Sequence, residues 1–306
     1  MKNYSNKSVV CFGEVLWDIL PNGKKPGGAP MNVAYHLHKL GLKSFMISSI
    51  GNDAVGNELL DFLKSIDLPV NYIQQDPHHA TSEVHAKIGE NDEVTYDILF
   101  PVAWDFIQWK PEHEQLISQA DAFIFGSLGS RNEASRAALL KMLDHAKFRV
   151  FDVNIREPHY SKEFITQLLG KCDMVKLNIA ELEMIAGWYD PFCSTELERI
   201  DSLFSRFGFQ EIIITKGSKG ATYYTEAIRY DYPAYHVDVQ DTVGSGDSFL
   251  AAFLAMKLSD EPLEDMLNYA VAMGAFITSK SGACPDYSKF DLERFIWKRN
   301  MTESIF

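Results

Sequence analysis

Short apolar runs alternate with helical patterns through the middle of the chain, and this alternation restricts the fold more than any other feature. The runs occupy residues 122–126, 148–152, 174–177 and 212–215, and the helical patterns occupy 133–146, 162–169 and 179–186. Apolar strands that alternate with helices form a parallel sheet covered on both faces and joined by right-handed crossovers. The sequence therefore predicts an α/β fold. No G-x-G-x-x-G follows the first strand and no P-loop sequence occurs, so neither a dinucleotide fold nor a P-loop site is indicated.

Nine residues near the C-terminal end, D-T-V-G-S-G-D-S-F (241–249), precede an apolar run with helical spacing. Gly244, Ser245 and Gly246 therefore fall where a helix begins. The first N–H groups of a helix have no partner within it and lie at the positive end of its dipole, so this turn predicts an anion site. Asp247 lies inside that site, where a carboxylate suits proton removal from a hydroxyl that attacks a phosphate. For a lone G-x-G-D, an ordinary helix cap is the alternative.

The composition excludes some partners. The chain of 306 residues is long enough for one large domain with a full core, and its formal net charge of -13 argues against nucleic acid or an anionic membrane as partner. An anion site in so acidic a protein needs local cations, and Lys176, Lys216, Lys219 and Arg156 are the candidates. Bound Mg²⁺ would supply further positive charge.

The sequence also indicates a compartment. The first eight residues are polar, no apolar run reaches the length of a membrane span, and the four cysteines are scattered without a C-x-x-C. Scattered cysteines are typical of free thiols in a reducing compartment. We expect a cytoplasmic protein.

Polar residues follow the first predicted strand (9–13), at the sheet edge where open α/β folds bind ligands. Glu14 and Asp18 come after that strand, and P-G-G-A-P (26–30) leads into a helix. The two glycines would let a small polar ligand touch the backbone, and Asn32 would point at that ligand from the start of the helix. Taken alone, G-G-A-P is typical of a loop before a helix.

The nonapeptide resembles the C-terminal signature of the ribokinase-like carbohydrate kinases, the PfkB family, which transfer the γ-phosphate of ATP to a sugar hydroxyl. Three further segments, G-E-V-L-W-D (13–18), G-G-A-P-M-N-V-A (27–34) and G-N-D-A-V-G (51–56), resemble its N-terminal signature in order and spacing. The first two are close to the form seen in fructokinases. The resemblance covers nearly the whole chain. It implies a single ribokinase-like domain over 1–306, a three-layer α/β/α sandwich with a central, mostly parallel sheet and a small β-lid.

Residues 82–88 and 93–98 alternate between apolar and polar side chains, with a turn-forming Gly-Glu-Asn-Asp at 89–92. This pattern predicts a hairpin with one wet face. In the family such strands form a lid over the sugar together with strands from near the N-terminus. The resemblance places this lid at about 15–26 and 82–103 and implies a homodimer formed through it. An edge hairpin without motion is the alternative.

The resemblance also assigns the sugar site. Asp18, Gly28 and Asn32 match residues that hold sugar hydroxyls in the family, and a carboxylate and an amide suit this work because each engages adjacent hydroxyls in pairs. Arg156 ends a D-x-N-x-R segment (152–156) that resembles that of fructokinases, and its guanidinium would pair with phosphate or sugar oxygens.

The same resemblance assigns the catalytic groups. Gly244, Ser245 and Gly246 would bind the transferred phosphate through backbone N–H groups, while Asp247 removes the proton from the sugar hydroxyl. In a loose transition state, alignment and charge neutralisation contribute most and proton removal is late. Asp247 would therefore not require a raised pKa.

A second glycine-rich turn follows the strand at 212–215. T-K-G-S-K-G (215–220) looks like the nucleotide-binding T-x-G-x-x-G of the family, which implies that Thr215, Gly217 and Gly220 contact ATP. A hairpin turn is the alternative, since a strand pattern follows.

Two further polar elements match cation-binding regions of the family. Asn178 and Glu181 form the N-x-x-E tied to phosphate and to Mg²⁺ through water, although this spacing alone is typical of a helix cap. Asp241, with backbone carbonyls near residues 277–282, matches the region where relatives hold K⁺. No H-E-x-x-H or cysteine cluster indicates zinc.

These features together predict an ATP-dependent sugar kinase that phosphorylates a primary hydroxyl of a furanose, with fructose as the expected sugar. Ribokinase, 2-keto-3-deoxygluconate kinase and nucleoside kinase activities are the alternatives, and a non-catalytic sugar or nucleotide sensor is a further one. A nucleoside kinase would need an aromatic pocket, for which Trp17, Trp104 and Phe106 are candidates.

Overall fold

The structure is a computed structural model that describes residues 6–20, 23–88 and 94–303. The turn predicted at 89–92 lies outside the described residues, as do parts of the predicted lid and both ends of the predicted domain.

The strands of the described residues are β1 (Ser8–Phe12), β2 (Leu16–Leu20), β3 (Gly23–Gly27), β4 (Lys43–Gly51), β5 (Ile73–Asp76), β6 (Ser82–Ile88), β7 (Val94–Ile98), β8 (Ala122–Gly126), β9 (Arg149–Asp152), β10 (Met174–Asn178), β11 (Glu211–Thr215), β12 (Ala221–Tyr224) and β13 (Arg229–Tyr232).

The helices of the same residues are α1 (Ala29–Lys39), α2 (Ala54–Ser65), α3 (Pro111–Gln119), α4 (Glu133–Leu143), α5 (Lys162–Leu169), α6 (Ile179–Gly187), α7 (Glu196–Arg206), α8 (Ser245–Lys257), α9 (Leu263–Thr278) and α10 (Lys289–Glu303).

The central sheet has the strand order β13-β12-β11-β10-β9-β8-β1-β4-β5. The pairs from β5 to β11 are parallel, and only the edge pairs β11–β12 and β12–β13 are antiparallel among the described strands. The prediction of an α/β fold with a mostly parallel sheet is thus confirmed. The four apolar runs of the middle of the chain form the neighbouring strands β8 to β11, because the helices between consecutive runs return the chain in the same direction.

Helices cover both faces of this sheet. Along β1, Val9 and Cys11 point into one apolar cluster with α1, α2, α8, α9 and α10, while Val10 and Phe12 point into a second cluster with α3 to α7. Successive side chains of a strand point to opposite faces, so a fully apolar strand supplies both clusters. The result is three layers, helices on each side of one sheet.

Polar side chains set where several helices begin. Asp53, Asn132, Ser161, Asn178 and Thr195 are the N-cap residues of α2, α4, α5, α6 and α7, and each accepts a hydrogen bond from a backbone N–H of the first turn. Such caps satisfy N–H groups that have no partner within the helix. The start of each of these helices is thus encoded locally.

A second, smaller sheet has the order β3-β2-β6-β7. Strand β2 pairs antiparallel with β3 and parallel with β6, and β6 pairs antiparallel with β7. Its strands come from 16–27 and 82–98, close to the segments expected to form a lid. Whether this small sheet opens and closes stays a prediction.

Two features bear on the expected compartment. Cys11, Cys172, Cys193 and Cys284 are all free thiols. Among the described residues, no helix combines the length and the apolar character that crossing a bilayer requires.

A buried ion pair anchors the chain that leaves the small sheet. Arg131 Nε and Nη2 donate to the two carboxylate oxygens of Asp105 at 2.8 and 2.9 Å, and Nη2 also donates to the Leu99 carbonyl. The side chains of Arg131 and Asp105 are 3% and 0% exposed. This bidentate pair lies out of water, so each charge depends on the other.

Removal of one partner of this ion pair should therefore lower the stability of the fold. We expect Arg131→Met to lower the free energy of unfolding by about 3 to 5 kcal/mol, because it leaves the Asp105 carboxylate buried without its counter-charge. Arg229→Met is the control, since Arg229 forms a half-exposed pair with Asp231 and should cost less than about 1 kcal/mol. Urea unfolding measures both, and equal small losses would contradict the prediction.

Candidate active site

A cleft of about 620 Å³ lies between the two sheets. One wall consists of residues at the carboxyl ends of β1, β9, β10 and β11 together with the start of α8, and the other wall is the inner face of the small sheet. Ligands of open α/β sheets bind at this edge. Most of the predicted site residues meet here, namely Asp18, Gly28, Asn32, Arg156, Asn178, Glu181, Thr215, Asp241, Gly244, Gly246 and Asp247.

The start of α8 fits an anion site. Its N-cap, Gly244, has a φ of 76° and no side chain caps the helix, so the first N–H groups are not occupied in that way. A Cβ atom at Gly244 would lie 2.6 Å from the Cβ atom of Ala283. Only glycine allows both the left-handed backbone and this close approach. The carboxylate of Asp247, in the first turn, lines the same part of the cleft.

Ser245 differs from its neighbours, because it does not line the cleft. Its hydroxyl donates to the Gly274 carbonyl of α9 at 3.3 Å, and its backbone N–H donates to the Thr242 carbonyl at 3.2 Å. Its side chain therefore fastens α8 to α9. A role in binding phosphate stays a prediction for Ser245, whereas Gly244 and Gly246 lie at the cleft surface.

Asp247 has a defined partner from the N-terminal part of the chain. Asn32 Nδ2 donates to Asp247 Oδ2 at 2.8 Å. Burial and the nearby Asp152 carboxylate raise the pKa of Asp247 to about 6, although Lys176 and Asn32 act in the opposite direction. The raised pKa, which the sequence did not require, suits a group that must accept a proton near neutral pH.

The orientation of the Asn32 amide is fixed from its other side. The Cys284 thiol donates to Asn32 Oδ1 at 3.3 Å, so the amide nitrogen is the atom turned toward Asp247. Burial and the charges of Asp247 and Asp18 hold the pKa of Cys284 well above its ordinary value, which keeps the thiol protonated as a donor.

Gly28 brings the start of α1 against the end of β1. It has a φ of 111°, and a Cβ atom there would lie 2.4 Å from the Glu14 carbonyl oxygen. Gly28 is the N-cap of α1, and its carbonyl accepts the Asn32 N–H at 2.8 Å. The glycine thus places Asn32 in the first turn of α1, facing the cleft.

Two further carboxylates lie near Asp247. Burial, followed by the charge of Asp241, raises the pKa of Asp18 to about 6. Burial raises the pKa of Glu14 to about 7, and its Oε1 accepts the Ala29 N–H at 3.2 Å. The cleft thus concentrates acidic groups that resist ionisation.

Lys176 supplies the buried positive charge. Its Nζ donates to Asp152 Oδ1 at 2.7 Å, and both side chains are less than a tenth exposed. Burial lowers the pKa of Lys176, but the charges of Asp152 and Asp247 outweigh burial and the pKa ends above its ordinary value. A Cβ atom at Gly246 would lie 3.3 Å from Lys176 Nζ, so the ammonium lies beside the first turn of α8.

Of the other candidate cations, Arg156 lines the cleft and has an exposed side chain. Lys216 is instead engaged by Glu196 at 2.7 Å, and neither it nor Lys219 lines the cleft. Of the four candidates for local positive charge, Lys176 and Arg156 therefore line the cleft, and a role of Lys216 or Lys219 at the anion site stays a prediction.

Asn178 and Glu181 form a capping box at the start of α6. Glu181 Oε2 accepts the Asn178 N–H at 2.8 Å, Asn178 Oδ1 accepts the Glu181 N–H at 2.9 Å, and Glu181 Oε1 accepts the Ile155 N–H at 2.9 Å. The cap is present, and both residues also line the cleft. Burial raises the pKa of Glu181.

The second glycine-rich turn lies only partly at the cleft. Thr215 lines it, whereas Gly217 and Gly220 do not. A Cβ atom at Gly220 would lie 2.0 Å from the Tyr232 carbonyl oxygen, and its φ is 93°. Packing of β12 against β13 therefore explains Gly220, and contact of Gly217 and Gly220 with ATP stays a prediction.

Asp241 joins two segments at the rim. Its Oδ1 accepts the Val243 N–H at 3.0 Å, and its Oδ2 accepts the Gly282 N–H at 2.9 Å. Binding of a monovalent cation here stays a prediction. Across 6–20, 23–88 and 94–303, no group of three or more His, Cys, Asp or Glu side chains is arranged to hold a metal ion.

The aromatic candidates for a nucleoside pocket lie elsewhere. Trp104 is fully buried in the core, Trp17 packs against Phe62, and Phe106 stacks on His79. None of the three candidates lines the cleft.

Two cleft residues, Glu14 and Asp152, were not assigned a role from the sequence, and Lys176 was a candidate cation without an expected partner, although signals for these groups exist. Glu14 comes shortly after β1 and Asp152 is the last residue of β9, within G-E-V-L-W-D and D-x-N-x-R respectively. Lys176 is a lysine inside an apolar strand, which calls for a buried partner. Only the fold shows that these groups meet.

A profile of the pfkB family carbohydrate kinases matches residues 6–289. The chain belongs to this family. As a pfkB carbohydrate kinase it is an enzyme, and a non-catalytic sensor is not supported. A probable fructokinase-2 of Arabidopsis thaliana is 30% identical to this chain, and the match covers 92% of this chain and 94% of that protein.

Solved structures share the architecture of this pfkB kinase. A fructokinase with bound ATP from Xylella fastidiosa has a TM-score of 0.84 and 21% identity, and the match covers 96% of this chain and 99% of that one. A fructokinase from Vibrio cholerae O395 with fructose, ADP and calcium bound has a TM-score of 0.81 and 24% identity, and the match covers 95% and 99%. The prediction of the ribokinase-like fold is confirmed.

The pKa of Glu14 makes the stability of this kinase depend on pH. Its pKa rises from the ordinary 4.5 to about 7 on folding, so between these values the folded chain holds a proton that the unfolded chain has lost. Stability should therefore fall as pH rises through this window. Glu14→Gln removes this titration, and its free energy of unfolding relative to the wild type should increase by about 3 kcal/mol from about pH 4.5 to about pH 8.

Urea unfolding across this pH range measures the difference in free energy of unfolding between Glu14→Gln and the wild type. Effects of the glutamine that do not depend on pH shift this difference equally at every pH, so they do not alter its change with pH. Glu198→Gln is the control, because hydrogen bonds from the Thr195 and Ser194 backbone lower the pKa of Glu198 to about 2. Its difference from the wild type should be constant above about pH 5.5, where Glu198 is ionised in both the folded and the unfolded chain. A flat difference for Glu14→Gln would contradict the assignment.

Proposed function

We propose that the protein is a fructokinase, which transfers the γ-phosphate of ATP to a primary hydroxyl of fructose. The observation that carries the proposal is the hydrogen bond between Asn32 and Asp247, with 2.8 Å between Nδ2 and Oδ2. It joins the expected sugar-binding amide to the expected base, at the start of a helix suited to bind phosphate. The curated relative named as a fructokinase, and the neighbours with ATP or with fructose and ADP bound, support this proposal.

The sugar would lie between the small sheet and α1. Asp18 from β2, Gly28 and Asn32 would hold its hydroxyls, and the side chains of Leu16, Val84 and other apolar residues of the small sheet would cover it. Closure of the small sheet over the sugar would exclude water, which otherwise competes as phosphate acceptor. Arg156 also lines the cleft, where its guanidinium would pair with oxygens of either substrate.

The transfer itself follows from the geometry around α8. The sugar oxygen would bond to the γ-phosphorus, the bond to the bridging oxygen of ADP would break, and Asp247 would take the hydroxyl proton. N–H groups at Gly244 and Gly246, with the Lys176 ammonium beside them, would stabilise the negative charge of the transferred group. Thr215 and Asn178 lie where the rest of the nucleotide would extend along the sheet edge.

A divalent ion such as Mg²⁺ fits the cleft as a partner of the phosphates. Glu181 already accepts two backbone N–H groups, which suits contact through water better than direct ligation. Asp152 also lines the cleft, and its Oδ2 is buried without a hydrogen-bond partner among the described residues. When bound, the ion would neutralise phosphate charge. The monovalent cation at Asp241, the homodimer through the small sheet and the cytoplasmic location stay predictions.

Replacement of the base should remove turnover but not folding. We expect Asp247→Asn to lose roughly 10²- to 10⁴-fold in kcat, the usual contribution of a positioned base, and to keep a cooperative thermal unfolding transition. Coupled ADP release with fructose, ribose, 2-keto-3-deoxygluconate and adenosine measures turnover and decides the sugar. Asp286→Asn is the control, because Asp286 points outward and pairs with Lys39. Near-normal turnover of Asp247→Asn would remove the residue from this role.

The raised pKa values of Asp18 and Asp247, both about 6, predict a loss of activity in acid. Both groups act as carboxylates, so their protonation below about pH 6 should lower kcat/KM for fructose. In this acid range a plot of log(kcat/KM) against pH should have a slope between one and two. In Asp18→Asn the slope should approach one, since only Asp247 then titrates. ADP release from about pH 5 to about pH 8 measures both profiles, and a pH-independent wild type would exclude these assignments.

A further inference from the structure

Two adjacent lysines of β3, Lys24 and Lys25, have opposite surroundings. Lys24 pairs with Glu58 of α2 and lies 4.9 Å from the ring centre of Trp17, on the outer face of the small sheet. Lys25 lies opposite Asp18 in the β2–β3 ladder, and directly opposed residues point to the same face. Lys25 therefore faces the cleft, which it lines.

The Lys25 side chain crosses from the small sheet to the other wall of the cleft. Its Nζ donates to the Ser281 hydroxyl. Its stem passes over Gly282, where a Cβ atom would lie 2.7 Å from Lys25 Cδ and 3.2 Å from Nζ. The glycine thus leaves the space through which the lysine reaches this wall.

The turn that Lys25 reaches belongs to the anion site. The Gly282 N–H donates to Asp241 at 2.9 Å, and the next residue, Ala283, is packed against Gly244 at the start of α8. The ammonium of Lys25 is therefore held beside the segment that the transferred phosphate would approach.

The partner of Lys25 leaves its charge available. Lys176 is paired with a carboxylate at 2.7 Å, whereas the described contact of Lys25 is with a neutral hydroxyl. Several carboxylates line the same cleft, among them Asp18, Asp241 and Asp247. An incoming nucleotide adds more negative charge, which an unneutralised ammonium offsets.

We propose that Lys25 is a phosphate-contacting residue, which the small sheet carries to the terminal phosphate of the nucleotide. The inference rests on the proposed kinase function and adds a residue to it. Because Lys25 and Asp18 oppose each other in one ladder, sugar held by Asp18 positions the ammonium at the transferred group. As the sugar oxygen bonds to the γ-phosphorus and ADP leaves, Lys25 stabilises the charge on the phosphate oxygens while Asp247 holds the proton.

The test compares Lys25→Met with Lys24→Met, a matched change on the opposite face of the same strand. We expect Lys25→Met to lower kcat with fructose and ATP by about 10- to 100-fold, with KM for fructose changed by less than about threefold. Lys25→Arg should recover part of the loss, because the charge returns. Lys24→Met should keep wild-type kcat.

Ser281→Ala separates phosphate contact from a purely structural latch. Ser281 holds only the resting position of the ammonium, so its loss should leave kcat within about threefold of the wild type. If Ser281→Ala loses as much kcat as Lys25→Met, Lys25 acts as a latch and the inference is overturned. Full kcat in Lys25→Met overturns it as well, and leaves the proposed function intact as long as Asp247→Asn is inactive.

Binding provides a readout that does not need turnover. Calorimetry with ADP and with a non-hydrolysable ATP analogue, each in the presence of fructose, measures what the terminal phosphate adds to affinity. We expect Lys25→Met to reduce this increment about tenfold and Lys24→Met to preserve it. If the wild type phosphorylates none of the sugars, the proposed function fails, and the increment still decides the inference. An increment unchanged in Lys25→Met contradicts contact with the phosphate.

Discussion

The carboxylate of Asp247 is held between opposed influences, and the rest of the cleft depends on how they balance. Burial and Asp152 favour its protonated form, while Lys176 and the Asn32 amide favour the ionised form. The positive end of a helix dipole stabilises a carboxylate at the helix N-terminus. The same N-terminus also binds phosphate, whose negative charge repels that carboxylate. Both anions fit at one helix start only if the local positive charge is fixed in advance. The Lys176 ammonium meets this requirement, because its hydrogen bond to Asp152 already holds it beside the first turn of α8. Its side chain therefore loses no further conformational entropy when phosphate binds.

Close contacts between backbones hold that arrangement in place. A Cβ atom at Gly28 would lie 2.4 Å from the Glu14 carbonyl oxygen, one at Gly129 would lie 2.4 Å from the Gly13 Cα atom, and one at Gly244 would lie 2.7 Å from the Ala283 Cα atom. At each point two loops at the sheet edge meet with no side chain between them. Because backbone positions are fixed by the strands and helices on either side, the site inherits the rigidity of the sheet. A flexible polar side chain at any of these points would move a wall of the cleft.

The fold could be predicted from the sequence because its signals are local. An apolar run followed by a helical pattern specifies a strand and its crossover, and the glycines of the nonapeptide mark where α8 begins. The exceptions depend on partners distant in the sequence. Ser245 turns toward Gly274 because α9 packs on α8, and Lys216 is engaged by Glu196 because the start of α7 lies beside the turn that follows β11. Gly220 is required by the passage of β13 rather than by a ligand. Residue type and spacing indicate that such residues have a specific role, but only the packing of the fold determines which neighbour each of them contacts.

The adjacent lysines of β3 show the same limit and also what the structure adds. Lys24 and Lys25 are residues of the same type, but successive side chains of a strand point to opposite faces of the sheet. Lys24 therefore pairs with Glu58 on the outer face, whereas Lys25 extends across the cleft. The ladder between β2 and β3 makes Asp18 and Lys25 move as one body, since backbone hydrogen bonds join their strands on either side. A displacement that carried Asp18 away from the sugar would therefore also withdraw the ammonium from the phosphate side. In a protein with a net charge of -13, a cation delivered in this way would arrive together with the sugar, and charge neutralisation and the exclusion of water would then occur in one step.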